Sequence, residues 1–153
     1  MGESLPGLLG ATGVTLFLRE RSPKALRRIG SGDRFMPAAV NPEQPPPGIG
    51  NALAMCFRNR TVLMIPDTRD NTLVRHSSDP LPRALLLLPL ISHEEILGVI
   101  VVERADRPGA FRQEDQAAAQ HVANQVASAL KLQEQQSLQE QLFRGKSWRP
   151  RGK

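Results

Sequence analysis

Ala84-Leu85-Leu86-Leu87-Leu88-Pro89-Leu90-Ile91-Ser92-His93-Glu94-Glu95-Ile96-Leu97-Gly98-Val99-Ile100-Val101-Val102-Glu103-Arg104 is the stretch on which the fold turns. Two apolar runs flank a short polar break. Ala84 to Leu90 is continuously apolar and closes at Pro89. A strand with one wet face alternates apolar and polar residues, so an unbroken run is a strand covered on both faces. Glu95 to Arg104 reads as a second strand, with Gly98 inside it. Ser92 to Glu94 is the turn between them, and a turn this short makes the pair an antiparallel hairpin. The same break, Ser92-His93-Glu94-Glu95, argues against a membrane span, which needs about 20 mostly apolar residues.

Upstream, Val14 to Glu20 is rich in β-branched and large apolar residues and reads as a strand. Arg21-Ser22-Pro23-Lys24 has turn chemistry, and Ala25 to Gly30 is a second short strand, completing another hairpin. Ser31 to Gly48 is irregular, because Asn41-Pro42-Glu43-Gln44-Pro45-Pro46-Pro47 fits neither a helix nor a central strand. Ile49 to Asn59 carries Ile49, Ala52, Leu53, Cys56 and Phe57 at helical spacing. Thr61 to Ile65 is a short strand stopped by Pro66, and Asp67 to Pro82 is polar, with room for a short helix. Downstream, Gln113 to Phe143 predicts one helix about 45 Å long, more than a small domain can cover. Val122, Val126, Ala129 and Leu130 form its apolar stripe. Two hairpins imply an antiparallel sheet, and helices laid on one face of it give an α+β architecture.

The chain has 153 residues, 40% of them apolar and 23% charged, the balance of one globular domain. With five Phe, one Trp and no Tyr, its core must be aliphatic. The net charge of +5 equals the charge of the last ten residues, where Arg144, Lys146, Arg149, Arg151 and Lys153 stand without an acid. The basicity therefore belongs to a tail rather than to a nucleic-acid-binding face. A single cysteine, Cys56, excludes an internal disulfide and a multi-cysteine zinc site. Met1 to Pro6 carries no basic side chain of the kind that opens a signal peptide. These features lead us to expect a cytoplasmic protein with no membrane partner.

Leu8-Leu9-Gly10-Ala11-Thr12-Gly13-Val14-Thr15-Leu16-Phe17-Leu18, the helix start at Gly48-Ile49-Gly50, and Thr61-Val62-Leu63-Met64-Ile65-Pro66-Asp67-Thr68-Arg69-Asp70 follow one another in order. They are succeeded by Leu85-Leu86-Leu87-Leu88-Pro89-Leu90, Ile96-Leu97-Gly98-Val99-Ile100-Val101-Val102, and Phe111-Arg112-Gln113-Glu114-Asp115. No single motif is specific, but their order and spacing resemble those of a GAF domain, from about Leu9 to Leu132. The resemblance implies a profilin-like antiparallel sheet of five to six strands, with helices on one face, a small-ligand pocket on the other, and a long C-terminal helix. It also implies a role in bacterial signal transduction, such as two-component histidine kinases or cyclases. The expected layout is a remnant of the family's first helix over 1–12, the domain over 13–132, a helical connector over 133–143, and a basic disordered tail over 144–153. The last helix usually packs on that first helix. With only Leu5 to Gly10 left of it, the resemblance predicts a homodimer contact along Ala119, Val122, Val126 and Leu130, and an effector domain downstream in a parent protein.

Among the side chains that carry chemistry, Asp67, Arg69, Asn71, Arg75 and His76 form a candidate ligand-binding lip after the short strand. Arginines there suit an anionic ligand, although Asp and Asn in such a segment also serve simply as turn residues. His93 falls in a turn and His121 on the long helix, so the three histidines show no metal spacing. His76 has no second feature to support haem, and Cys56 is followed by Phe57 rather than the histidine of bilin-binding relatives. The Asn-Lys-Phe-Asp-Glu signature of cyclic-nucleotide-binding relatives is missing from the chain. Cys56 reads as a small buried hydrophobe. No carboxylate pair has acid–base spacing. The reading is a non-enzymatic sensory or dimerisation module whose cofactor, if any, is unknown. The alternatives are a redox enzyme resembling free methionine sulfoxide reductase and nucleic-acid binding through the basic tail.

Overall fold

The structure, a computed structural model, describes residues 13–20, 25–29, 37–45, 48–70, 74, 82–104 and 107–147, the side chains of 144–147 excepted. The chain order is β1 (Gly13–Glu20), β2 (Ala25–Ile29), β3 (Ala39–Val40), α1 (Gly50–Asn59), β4 (Leu63–Ile65), a 3-10 turn over Thr68–Asp70, β5 (Ala84–Ser92), β6 (Glu95–Arg104) and α2 (Gln113–Ser147). The strands form one antiparallel sheet in the order β3-β2-β1-β6-β5-β4. The decisive hairpin lies near the middle of the sheet. β5 runs through Pro89 to Ser92, further than expected, and the turn is His93-Glu94, both at positive φ (54° and 66°) as a two-residue type I′ turn requires.

Each face of β5 and β6 has its own helix. Leu85, Leu87, Val99 and Val101 pack with Phe17 of β1 and with Ile49, Leu53 and Cys56 at α1. Leu86, Leu88, Ile100 and Val102 pack on Ala119, Ala123 and Ala127 of α2. The expectation of helices on one face is therefore corrected: α1 and α2 lie on opposite faces of the sheet. The cause is the hairpin itself. Both faces are apolar, and each must be kept from water, at about 25 cal/mol per Å² of apolar surface.

The buried stripe of α2 also differs from the expected one. Ala119, Ala123 and Ala127 are at most 2% exposed, Val122, Val126 and Leu130 are half-buried beside them, and Ala129 is exposed. The small methyls let the helix approach a sheet already filled with Leu, Ile and Val. Helix α2 has 35 residues, about 50 Å of length, and it continues past Phe143 into the segment expected as tail. From Gln135 to Phe143 every residue is exposed, including Leu138, Leu142 and Phe143. Two smaller differences concern the first half. α1 begins at Gly50, with Gly48 at φ 87°, and a two-residue strand, β3, interrupts the tract read as irregular. The lead-in over 1–12 and the tail from 148 lie outside the described residues.

Candidate functional site

Strand register places four residues in a row across the sheet: Ile65 of β4, Leu85 of β5, Glu103 of β6 and Gly13 of β1. Side chains two apart on a strand share a face, so Glu103 points the same way as Val99 and Val101, toward the α1 side. Glu103 is only 1% exposed. Thr15 belongs to the next row, opposite Val101, and is 8% exposed. A carboxyl and a hydroxyl thus sit in the otherwise apolar α1 face at one end of the sheet. Polar side chains in an apolar layer are kept only where they have polar company, and the few that line such a layer are candidates for orienting a ligand.

The loop that leaves this row after Ile65 carries Asp67 and Arg69. Asp67 Oδ1 accepts a hydrogen bond from the Arg69 backbone N–H at 3.1 Å, and the Asp70 N–H donates to the Asp67 carbonyl at 3.1 Å. Asp67 is therefore a turn residue, whatever else it does. Its carboxylate also lies 3.6 Å from the guanidinium of Arg83. The loop is pinned to the start of β5 by Thr68, whose N–H donates to the Arg83 carbonyl at 2.9 Å and whose hydroxyl donates to the Pro82 carbonyl at 2.6 Å. Arg83 Nε is buried and makes no hydrogen bond within the described residues. Arg69 is exposed. Of the five residues of the candidate lip, Asp67 and Arg69 stand on this loop, and Asn71, Arg75 and His76 lie outside the described residues. Val74, in the same segment, is 6% exposed and joins the core on the α1 side.

The sequence reading missed Glu103, Thr15 and Arg83. Glu103 did leave a signal: it ends an apolar strand on the same parity as Val99 and Val101, where the pattern calls for another apolar residue. Cys56 is fully buried in α1, and burial pushes its thiol up to about 12, so it holds its proton at neutral pH and acts as a core residue. His93 is exposed in its turn and His121 on α2. Among the described residues, no three His, Cys, Asp or Glu side chains come together in a way that would hold a metal ion. No helix among them is long and apolar enough to cross a membrane.

The fold has many solved counterparts. A GAF domain from a phosphoenolpyruvate-protein phosphotransferase of Coxiella burnetii superposes with a TM-score of 0.70 at 14% identity, covering 88% of this chain and 80% of that one. Type II free methionine-R-sulfoxide reductase from Thermoplasma acidophilum does so with a TM-score of 0.63 at 17% identity, covering 82% and 84%. Residues 122 to 287 of a methyl-accepting chemotaxis protein give 0.64 at 23% identity, covering 84% and 83%. At these identities the likeness is one of fold. No curated protein sequence matches the chain. The sequence profile of the GAF domain matches residues 3–130, most of the chain, and with the six-stranded sheet and long C-terminal helix it shows that this chain belongs to the GAF domain family.

Proposed function

We propose that this domain is a regulatory module of a signal-transduction protein, such as a sensor histidine kinase or a cyclase. It senses a small molecule on the α1 face of its sheet and passes the signal to α2. The fold is shared with domains of a phosphotransferase and a chemotaxis protein, which supports the regulatory part of the reading. One observation carries the coupling. The hairpin β5–β6 is the wall between the polar end of the α1 face and helix α2, and alternate residues of the same two strands touch each side. A ligand that moves Leu85 or Glu103 moves the neighbours that pack on α2, across the thickness of one strand. Such a ligand acts only through a difference in affinity between two arrangements of the helix.

The site residues are Glu103 and Thr15 in the sheet, with Asp67, Arg69 and Arg83 at the lip and Asn71, Arg75 and His76 in the segment that follows. Leu138, Leu142 and Phe143, exposed on the distal half of α2, pair with a second copy, and a downstream effector reads the result. Native mass spectrometry of the purified protein tests the sensing reading. The expected result is a dimer retaining a small molecule, which Glu103→Gln releases while the circular dichroism spectrum stays unchanged. A chain that neither retains nor binds any member of a metabolite panel, at unchanged oligomeric state, would refute it. A thiol-based reductase has the fold likeness in its favour, but the buried, protonated Cys56 supplies no nucleophile for it.

A further inference from the structure

The apolar packing of α2 ends at Leu130, and Leu132 is 56% exposed. Between them, Lys131 Nζ binds Glu95 Oε1 at the start of β6, and it lies 3.4 Å from Glu134 Oε1 on its own helix. The second carboxylate oxygen of Glu95, Oε2, accepts a hydrogen bond from Arg19 of β1 at 2.9 Å. Arg19 also donates to the Ile96 carbonyl at 2.9 Å. Glu95 thus joins β1, β6 and α2, with one oxygen for each cation.

Glu95 reaches α2 because of a β-bulge. Leu90 pairs with Gly98, but the next residue, Ile91, pairs with Ile96, so Leu97 is an extra residue on β6. One added residue exchanges the faces of everything beyond it. Without it, Glu95 would share the parity of Val99 and Val101 and face α1. With it, Leu97 packs on the α2 side and Glu95 follows. Beside the bulge, Gly98 lets β1 come close, since a Cβ there would lie 2.1 Å from the Phe17 carbonyl oxygen.

We propose that the Arg19–Glu95–Lys131 cluster is a latch that fixes where α2 leaves the domain. The latch ends the packed half of α2 and begins the free half. Beyond it, from Gln135 to Phe143, no described residue of the same chain buries the helix, so opening that starts at its C-terminal end would stop at the latch. It deepens the sensing reading, because it would be the point at which strand movement becomes movement of the free helix.

Hydrogen exchange at neutral pH, followed by peptide mass spectrometry without any ligand, tests the latch. Glu95→Gln should speed exchange over residues 128–140 by roughly two- to fivefold, as expected for a partly exposed ion pair. The strands and residues 113–124 should stay unchanged. Lys131→Gln should give the same local pattern, and the double variant should add little to either, since both break the Glu95–Lys131 contact. Unchanged exchange over 128–140, additive effects, or a change spread through β5 and β6 would each overturn the proposal. Because the readout needs no ligand, its failure leaves the sensing reading standing, and failure of ligand binding leaves the latch standing.

Discussion

Gly98 shows how far one residue decides this structure. It sits opposite both Leu18 and Leu90, and the neighbouring backbone is so close that any side chain meets the Phe17 carbonyl. Neither partner is a flexible side-chain tip, so the strands themselves would have to part. Gly98→Ala is expected to cost about 3 kcal/mol, measured by urea unfolding, as for other overpacked cores. An alanine at Gly109 meets only the tip of the Arg104 side chain at 3.4 Å, and its cost comes instead from the backbone, whose φ of 137° disfavours any L side chain. Both glycines are visible in the sequence, but only β1 lying across β6 separates them. Glu103 makes the same point in reverse: its chemistry was in view, and its burial was not.

At the scale of elements, α2 is two helices in one. Its first half is held by methyl groups against a sheet, and its second half is held by its own backbone. The junction is ionic, so pH should act there. Hydrogen bonds from Lys131 and Arg19 hold the Glu95 carboxyl at about 2, below its usual 4.5. A depressed carboxylate contributes stability that is fully present above the ordinary value and is lost as pH falls through the folded one. The Lys131 ammonium, whose value Glu95 raises above 10.5, contributes below that pH and loses its contribution above it. The difference in thermal midpoint between wild type and Glu95→Gln, followed by circular dichroism, should therefore be constant from about pH 5 to 10 and shrink as pH falls from about 4.5 toward 2. A difference independent of pH over the acid range would show that the carboxylate charge contributes nothing at the junction.

For the whole molecule, the question is what covers the free half of α2. The expected dimer face included Ala119, which the chain uses in its own core at 2% exposure. Val122, Val126 and Leu130 are half-buried at the edge of the same packing, and Leu138, Leu142 and Phe143 are open. In the proposed dimer the contact therefore rests mainly on the distal half. Sedimentation velocity should show a dimer for the full chain and a monomer after deletion of residues 133–153. Identical behaviour of the two would remove the distal half from the interface.

The hairpin Ala84 to Arg104 was legible because its signal is local: an unbroken apolar run, a polar break and a second run admit few other structures. Helices α1 and α2, the antiparallel sheet and the family itself were legible for the same reason. The two-residue β3 was not, because its sequence differs little from the proline-rich tract around it, and only pairing with β2 makes it a strand. Nor was the division of α1 and α2 between two faces: the unbroken run shows that both faces of β5 are covered, but which helix covers which depends on segments far apart in the chain. The bulge at Leu97 is the sharpest case. Alternation along β6 assigns Glu95 to one face, and a register shift against β5 hands it to the other. The sequence by itself determined which segments form elements and which residues avoid water, because those depend on neighbours a few positions away. Tertiary structure decided which face each residue serves and which charges meet, because those depend on strands and a helix brought together from distant parts of the chain.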